Sequence, residues 1–175
     1  MSPKKSSKPK NIFLVGFMGA GKTTVGRILA RRLGWRYCDA DKVIETVAGK
    51  SVADIFSGRG EEYFRQLESE TLRDLAGKER QVVATGGGAV MREENMRAMK
   101  GGGVTVYLKA PMSVIWERIK HSKTRPLLNV ENPLEAAGEL LNKRIPFYEA
   151  ADVTVDTESL TPEEAAGEII KRLGI

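Results

Sequence analysis

The sequence predicts an α/β fold in which crossover helices flank a parallel β-sheet. Short apolar, β-branched segments alternate along the chain with segments whose apolar residues recur at helical spacing. This alternation is the order expected where helices connect parallel strands. A glycine-rich turn between the first apolar segment and the first helical one supports the same fold, because such turns bind phosphate groups at the end of a strand.

Five segments have the pattern of strands. NIFLVG, QVVATG and VTVYL are short, apolar and β-branched, and such runs suit strands that are buried on both faces of a sheet. The predicted strands cover residues 11–16, 35–39, 81–85, 103–108 and 152–155.

The helices are predicted from apolar spacing and from the residues that begin and end them. Pro111 and Pro162 suit helix starts, and Gly77 suits a helix end. The segment 118–132 is polar, basic and interrupted by Pro126, and it is therefore predicted to be a mobile loop. The predicted helices cover residues 22–33, 41–48, 51–57, 60–76, 93–99, 112–120, 133–148 and 162–173.

The composition of the chain limits the classes of protein to which it can belong. The single cysteine, Cys38, excludes an internal disulfide and favours a reducing compartment such as the cytoplasm. No apolar run approaches the length of a membrane span, and residues 1–10 lack the apolar stretch of a signal peptide. Those residues are predicted to be a disordered basic tail, followed by a single domain over residues 11–175.

The net charge gives little support to nucleic-acid binding. The formal net charge is +5, and four lysines within residues 1–10 account for most of it. The rest of the chain is near neutral, whereas a nucleic-acid-binding domain needs a basic face on its folded body. Nucleic acid is therefore not an expected partner.

The stretch GFMGAGKT, residues 16–23, has the spacing of a phosphate-binding loop. Backbone N–H groups at the start of the following helix would meet phosphate oxygens, aided by the helix dipole. Lys22 adds a positive charge for the outer phosphates, and the Thr23 hydroxyl is placed to ligate Mg²⁺. The alternative is a glycine-rich turn with a chance lysine.

An acidic pair, Asp39 and Asp41, follows the second predicted strand. In an extended segment, side chains two residues apart point the same way. A phosphotransferase uses one carboxylate near Mg²⁺ and another to orient the acceptor hydroxyl and take its proton. The alternative is that Asp41 only caps the helix that begins at Lys42. Beside a phosphate loop, the pair favours the catalytic interpretation.

Two glycine triplets are interpreted differently. The triplet at 86–88 follows the third predicted strand, where its bare backbone lets a ligand approach the N–H groups. The alternative for it is a flexible turn. The triplet at 101–103 precedes a strand and lies away from the strand ends that bind ligands, so it is predicted to be only a turn.

Three arginines are candidates for binding an anion. Glu68 lies three residues after Arg65, on the same helical face, and could orient its guanidinium. Arg65 or Arg144 taken alone is more commonly a solvated surface charge. Arg125 precedes a proline in the polar segment, which suits a lid that brings a guanidinium over a transferred phosphoryl group.

Six motifs together resemble the shikimate kinase family. They occur in that family's order and with similar spacing, from about residue 12 to residue 157. A phosphate loop alone is shared by many nucleotide-binding proteins, whereas the combination is specific. The motifs are GFMGAGKT at 16–23, D-x-D at 39–41, FRQLE at 64–68, GGGAV at 86–90, RPLL at 125–128 and R-x-P-x-Y at 144–148.

The resemblance implies a three-layer P-loop fold, with a five-stranded parallel sheet in the order 2-3-1-4-5 and a mobile lid at 118–132. It also implies transfer of the γ-phosphoryl group of MgATP to the 3-hydroxyl of shikimate, in aromatic amino-acid biosynthesis. The enzyme is expected to be a cytoplasmic monomer without nucleic-acid or membrane partners.

The resemblance also assigns roles to residues. For catalysis it implies Asp41, Lys22 and Arg125. For ATP it implies Gly19, Ala20, Gly21, Lys22, Thr23, Thr24, Arg118 and Arg125, with a second wall of the base site around residues 156–162. For shikimate it implies Asp41, Arg65, Gly86, Gly87, Gly88 and Arg144. For Mg²⁺ it implies Thr23 and, through water, Asp39.

Three other functions fit part of the pattern. A gluconate kinase would share the loop and fold, but it would not require the R-x-P-x-Y and D-x-D motifs. A nucleoside-monophosphate kinase should offer a pocket for a second base, whereas the candidates here are carboxylates, arginines and glycines. A non-catalytic polyanion-binding protein would depend on the basic tail.

Overall fold

The sheet has the predicted order. The computed structural model describes residues 8–122 and 129–175, and within these residues five parallel strands form one sheet. The strands are β1 (Asn11–Val15), β2 (Arg36–Asp39), β3 (Gln81–Ala84), β4 (Val104–Lys109) and β5 (Val153–Asp156). Their order across the sheet is β2-β3-β1-β4-β5, and each predicted boundary is confirmed to within one residue.

The helices lie where the apolar spacing predicts them. The two helices predicted over 51–57 and 60–76 form one element, which is broken by non-helical backbone at Gly60 (φ 84°, ψ 170°). A 3-10 turn at Ala89–Met91 is not predicted from the sequence. The helices are α1 (Lys22–Leu33), α2 (Ala40–Ala48), α3 (Val52–Ala76), α4 (Glu93–Gly102), α5 (Met112–Ile119), α6 (Pro133–Tyr148) and α7 (Pro162–Leu173).

Two hydrophobic cores lie on opposite faces of the sheet. Because strand side chains alternate, Ile12 and Leu14 face one core and Phe13 and Val15 face the other. Helices α1 and α7 cover the first face, whereas α3, α4, α5 and α6 cover the second. Both faces of β1 are buried, which agrees with its uninterrupted apolar sequence.

The second glycine triplet is more than a turn, so that prediction is wrong. Gly101 and Gly102 are the last residues of α4. A β-carbon on Gly102 would lie 2.5 to 2.7 Å from atoms of Ala76, and one on Gly103 would collide with the carbonyl group of Asn11. Asn11 is buried, and its Nδ2 donates to the Gly102 carbonyl at 2.9 Å. The close packing of α4 on α3 and β1 therefore requires glycine at these two positions.

We expect Gly102→Ala to lower the free energy of unfolding by about 1–3 kcal/mol, because the added methyl overpacks the contact with Ala76. Gly101→Ala is the matched control, since a β-carbon there meets no atom within 4 Å. That control should be neutral, or stabilising by up to about 1 kcal/mol. Urea titrations measure both, and equal stabilities of the two variants would contradict the packing argument.

Candidate active site

Most of the predicted site residues line one cavity at the carboxyl ends of the strands. Its volume is about 380 Å³, and it lies where β1, β2 and β3 end. Crevices at this edge are the usual ligand sites of open parallel sheets. The lining residues are Met18, Gly19, Gly21, Lys22, Thr23, Thr24, Asp39, Asp41, Ala84, Thr85, Gly86, Gly87 and Arg118.

The loop between β1 and α1 has a backbone that only glycine adopts readily. Gly16, Gly19 and Gly21 have φ values of 148°, 77° and 96°. A β-carbon on Gly16 would also lie 2.8 Å from the Leu108 carbonyl oxygen. Helix α1 then starts at Lys22 without a side-chain cap, so its first N–H groups remain open to an anion.

Two cations lie on this loop. The Lys22 ammonium donates to the carbonyls of Gly16 and Phe17, at 2.6 and 2.8 Å. The Arg118 guanidinium, from the last turn of α5, donates to the Gly19 carbonyl at 3.0 Å. With the helix N-terminus, these cations make the loop suited to a multiply charged phosphate chain.

A second cavity of about 310 Å³ adjoins the first and shares Gly21, Thr24 and Arg118 with it. Its far wall is the start of α7, where Thr161 and Glu164 form a reciprocal capping box. The sequence predicts a wall from residues 156–162, and that segment does line this cavity. The remaining lining residues are Ala20, Val25, Thr157, Leu160, Thr161, Pro162 and Ala165.

The acidic pair reaches the larger cavity in a different way from the one predicted. Asp39 ends β2, and its Oδ1 accepts from the Lys42 N–H at 3.2 Å, so Asp39 is the cap of α2. Asp41 lies in the first turn of that helix. The expectation of one extended segment is wrong, and so is the alternative in which Asp41 is the cap. Both carboxylates nevertheless line the cavity, because α2 begins directly at the strand end.

Asp41 is a carboxylate in an environment that disfavours its charge. Its Oδ1 is buried and has no hydrogen-bond partner among the described residues. Burial raises the pKa of Asp41, and the nearby charge of Asp39 raises it further, whereas Lys22 lowers it. A partly dehydrated carboxylate with an open lone pair is suited to accept a proton or a hydroxyl hydrogen bond.

Arg65 and Glu68 form a buried ion pair rather than a solvated surface pair. The Arg65 Nη1 donates to Glu68 Oε2 at 2.8 Å, and the Glu68 side chain is only 1% exposed. Burial raises the pKa of Glu68, whereas the charge of Arg65 lowers it. The predicted orienting contact between these two residues is therefore present in the structure. Arg65 also contacts Glu61 at 3.2 Å, which holds the guanidinium from a second side.

The Glu68 carboxylate approaches Asp41 across Gly86. A β-carbon on Gly86 would lie 2.9 Å from Glu68 Oε1 and 3.0 Å from Asp41 Oδ1. Both oxygens are buried and lack hydrogen-bond partners in the described part of the chain. These two carboxylate oxygens are therefore hydrogen-bond acceptors without partners, and Gly86 between them has no side chain. This arrangement suits a ligand that carries hydroxyl groups.

The other two glycines of this turn lie against the arginines. A β-carbon on Gly87 would be 3.2 Å from the Arg144 guanidinium, and one on Gly88 would be 2.5 to 2.8 Å from that of Arg65. Tyr148, which is fully buried, donates its hydroxyl to the Gly87 carbonyl at 2.6 Å. Burial raises the pKa of Tyr148 to about 12, so this donor keeps its proton at neutral pH.

Sequence reasoning missed the role of Tyr148. The signal for it was present, because Tyr148 lies four residues after Arg144 and therefore on the same face of α6. Arg65, Gly88 and Arg144 do not line the larger cavity itself, but they stand directly beside its wall at Gly86 and Gly87. Arg125 and the middle of the predicted lid fall within 123–128, outside the described residues.

The residues near the phosphate loop fit a magnesium ion. In the described ranges, no three His, Cys, Asp or Glu side chains gather as a metal site. Mg²⁺ in phosphoryl-transfer enzymes is usually held by one or two protein oxygens together with substrate phosphates and water. Thr23 and Asp39 supply such hard oxygens on the wall of the same cavity as Lys22. A closed protein cage is therefore not required.

The shikimate kinase family model matches residues 18–174. The chain belongs to the shikimate kinase family. This is a family of enzymes that use ATP as the phosphoryl donor. Among curated relatives, the shikimate kinase of Thermodesulfovibrio yellowstonii is 53% identical, over 93% of this chain and 94% of its own length. The shikimate kinase of Caldanaerobacter subterraneus is 47% identical, over 93% of this chain and 95% of its own length.

Solved structures agree with this membership. Shikimate kinase from Acinetobacter baumannii, in complex with shikimate, is 41% identical with a TM-score of 0.89, over 94% of this chain and 92% of that one. A gluconokinase from Sinorhizobium meliloti is 22% identical with a TM-score of 0.62. At this identity the likeness shows a shared fold alone, so it gives no support to the gluconate kinase alternative.

We expect Asp41→Asn to stabilise the ligand-free protein at neutral pH. The native pKa of Asp41 is raised above its unfolded value, so the wild type loses stability as the pH rises from about 4 through the raised native pKa. Asparagine does not titrate, so the difference between variant and wild type should be smallest near pH 4 and grow toward pH 7. Urea titrations across this range measure it, and a difference that shrinks with rising pH would contradict the assignment.

Proposed function

We propose that this chain transfers the γ-phosphoryl group of MgATP to the 3-hydroxyl of shikimate, giving shikimate 3-phosphate and ADP, in aromatic amino-acid biosynthesis. The observation that carries the proposal is the convergence of Asp41, Arg65 and Arg144 on one bare glycine turn. This turn adjoins the phosphate loop, since a β-carbon on Gly87 would lie 3.6 Å from the Met18 nitrogen. A carboxylate and two guanidinium groups are the partners that a small hydroxylated acid requires.

ATP binds along the loop and the start of α1. The β- and γ-phosphates lie against the N–H groups of Gly19 and of residues 21–24, beside the Lys22 ammonium, whereas the Ala20 N–H donates to the Phe17 carbonyl. Adenine occupies the smaller cavity between Arg118 and the start of α7. Arg118 lines both cavities, so one guanidinium borders the base and the phosphates together.

Shikimate binds at the glycine turn. The planar guanidinium forks of Arg65 and Arg144 hold its carboxylate. Asp41 accepts from the ring hydroxyls, and the backbone of residues 86–88 donates to the substrate where no side chain intervenes. Glu68 keeps Arg65 in this position through their 2.8 Å contact.

The transfer step follows from this arrangement. Asp41 orients the 3-hydroxyl and takes its proton, while the 3-oxygen forms a bond to the γ-phosphorus and the bond from that phosphorus to the ADP oxygen breaks. Lys22 stabilises the charge that develops on the transferred group. Arg125 reaches the same group when the lid closes, which also excludes water. The predicted start of this lid at residue 118 is wrong, because Arg118 and the buried Ile119 belong to α5.

Thr23, and Asp39 through water, hold Mg²⁺ beside the phosphates. The ion, when bound, neutralises charge on the β- and γ-phosphate oxygens. Asp39 keeps one carboxylate oxygen for the Lys42 N–H, and this contact fixes the direction in which its other oxygen faces.

The setting proposed for the enzyme is the cytoplasm, where it acts as a monomer without nucleic-acid partners. Residues 11–175 are proposed as its single domain. The predicted tail ends too late, because Lys10 pairs with Glu79 at 3.0 Å and its carbonyl accepts from the Arg80 N–H, whereas residues 1–7 lie outside the described residues. In the part of the chain that the structure describes, no helix is both long and apolar enough to cross a membrane. The near-neutral charge of residues 11–175 argues against a polyanion-binding function for the domain.

A coupled assay of ADP release tests the proposed reaction. With MgATP, the wild type should release ADP on addition of shikimate and not on addition of gluconate. Lys22→Ala should lower turnover by about 10²–10³, because the transition state loses its nearest ammonium group. ADP release with gluconate, or a variant within about tenfold of the wild type, would contradict the proposal, since tenfold is only about 1.4 kcal/mol of barrier.

We expect Arg65→Lys and Arg144→Lys each to weaken shikimate binding by about ten- to a hundredfold and to leave MgATP binding nearly unchanged. Lysine keeps the charge but loses the planar fork for a carboxylate. Because both arginines hold one group, losses in the double variant should be non-additive. Titration calorimetry with each ligand measures this.

Arg97→Lys is the matched control for these variants. The Arg97 side chain is 76% exposed and pairs only with Glu93 among the described residues, so shikimate binding should not change. Unchanged shikimate affinity in either Arg65→Lys or Arg144→Lys would make that arginine a structural residue. If both were unchanged, the acceptor pocket proposed here would have to be abandoned.

A further inference from the structure

The hydroxyl of Tyr37 is a buried polar group that the packing of the fold does not account for. Tyr37 is the second residue of β2, and its side chain leaves the sheet on the same face as that of Asp39. Within residues 8–122 and 129–175, its oxygen is buried and makes no hydrogen bond of ordinary geometry. A phenylalanine would fill the same space without a polar atom to satisfy, so the hydroxyl needs a separate explanation.

The Tyr37 ring packs closely against helix α1. A β-carbon on Gly26 would lie 2.9 Å from the Cε2 atom of the ring, so the glycine allows this contact. The Arg27 guanidinium lies 5.5 Å from the ring centroid, which is a cation–π distance. That β-carbon would also lie 3.3 Å from Cδ2, so one edge of the ring packs on α1, and this edge includes Cε2, the neighbour of the carbon that carries the hydroxyl.

Thr23 is the α1 residue that faces this hydroxyl. It precedes Gly26 by three positions and Arg27 by four, and these three residues therefore share one face of the helix. Burial raises the pKa of the Tyr37 phenol, and the nearby Thr23 side chain lowers it. Thr23 thus lies between the Tyr37 oxygen and the larger cavity, which it also lines.

We propose that Tyr37 is a positioning residue for Thr23 as a magnesium ligand, an inference that rests on the proposed function. The Thr23 O–H donates to the Tyr37 oxygen, which leaves both lone pairs of the Thr23 hydroxyl for the cavity. Without this partner the hydroxyl rotates among several torsions, and binding a cation has to select one of them. Coordination of a cation in turn makes the Thr23 O–H a stronger donor to the phenol oxygen.

Tyr37→Phe tests this inference, because it removes one oxygen and keeps the ring on Gly26. ADP binding is measured by titration calorimetry, once with saturating Mg²⁺ and once with EDTA. With Mg²⁺ we expect the Kd for ADP to rise by about three- to tenfold, the effect of one neutral hydrogen bond. With EDTA we expect no change. The Mg²⁺ concentration that half-saturates ADP binding should rise by the same factor.

Tyr63→Phe is the matched control, since it deletes a phenol oxygen from a tyrosine that is 36% exposed on α3. Equal Mg²⁺-dependent affinity in Tyr37→Phe and the wild type would overturn the inference. An equal loss in Mg²⁺ and in EDTA would also overturn it, because Tyr37 would then support the phosphate loop and not the metal ligand. Failure of the proposed function would give a different result from failure of this inference. In that case the wild type would bind MgADP but would release no ADP when shikimate is added with MgATP.

Discussion

The acceptor side of the site depends on one packing constraint, the absence of side chains at residues 86–88. Carboxylates from α2 and α3 and guanidinium groups from α3 and α6 approach this turn so closely that a β-carbon would lie within 3.2 Å of one of them at every position. Charged groups from three helices therefore meet without an intervening methyl group. The Tyr148 hydroxyl donates a hydrogen bond to the Gly87 carbonyl, which fixes the position of the backbone that these charged groups face.

This arrangement holds charges in surroundings that disfavour them. Asp41 and Glu68 are two carboxylates with buried, unpartnered oxygens and raised pKa values. Lys22 and Arg65 partly offset this at Asp41, as Arg65 and Arg144 do at Glu68. Such a cluster contributes less to stability than an apolar core of the same volume would. The ligand proposed for this site, with its hydroxyl and carboxylate groups, would complete the missing hydrogen bonds and add a further negative partner for the arginines.

On the side of the site proposed for the nucleotide, the constraint is a different one. It is the backbone conformation of the loop that leads into α1. The left-handed glycines bend the loop around the Lys22 ammonium, and the uncapped start of α1 directs N–H groups into the cavity. Gly26 then brings the same helix against Tyr37 of β2, the strand that ends at Asp39. The proposed metal ligands thus come from two elements that one close helix–strand contact holds together.

Much of the fold could be predicted from the sequence, because its signals are local. Apolar runs, helical spacing and the punctuation at Gly77, Pro111 and Pro162 predicted every strand and the main helices, and the order of six motifs predicted the family and its strand order. Local signals failed where contacts between distant segments decide. The second glycine triplet is required by Ala76 and Asn11, more than twenty residues away in sequence, whereas Asp41 lies in the helix that local spacing predicted over 41–48.

The sequence by itself determined the phosphate loop, since its glycines and Lys22 act within eight consecutive residues. Only the tertiary structure decided that Arg65 is buried against Glu68, that Arg144 and Tyr148 meet the Gly87 backbone, and that the Tyr37 ring lies on Gly26. Burial and proximity at these positions arise from how whole helices pack on the sheet. No pattern within a short window records such packing, because it depends on contacts between residues far apart in the chain.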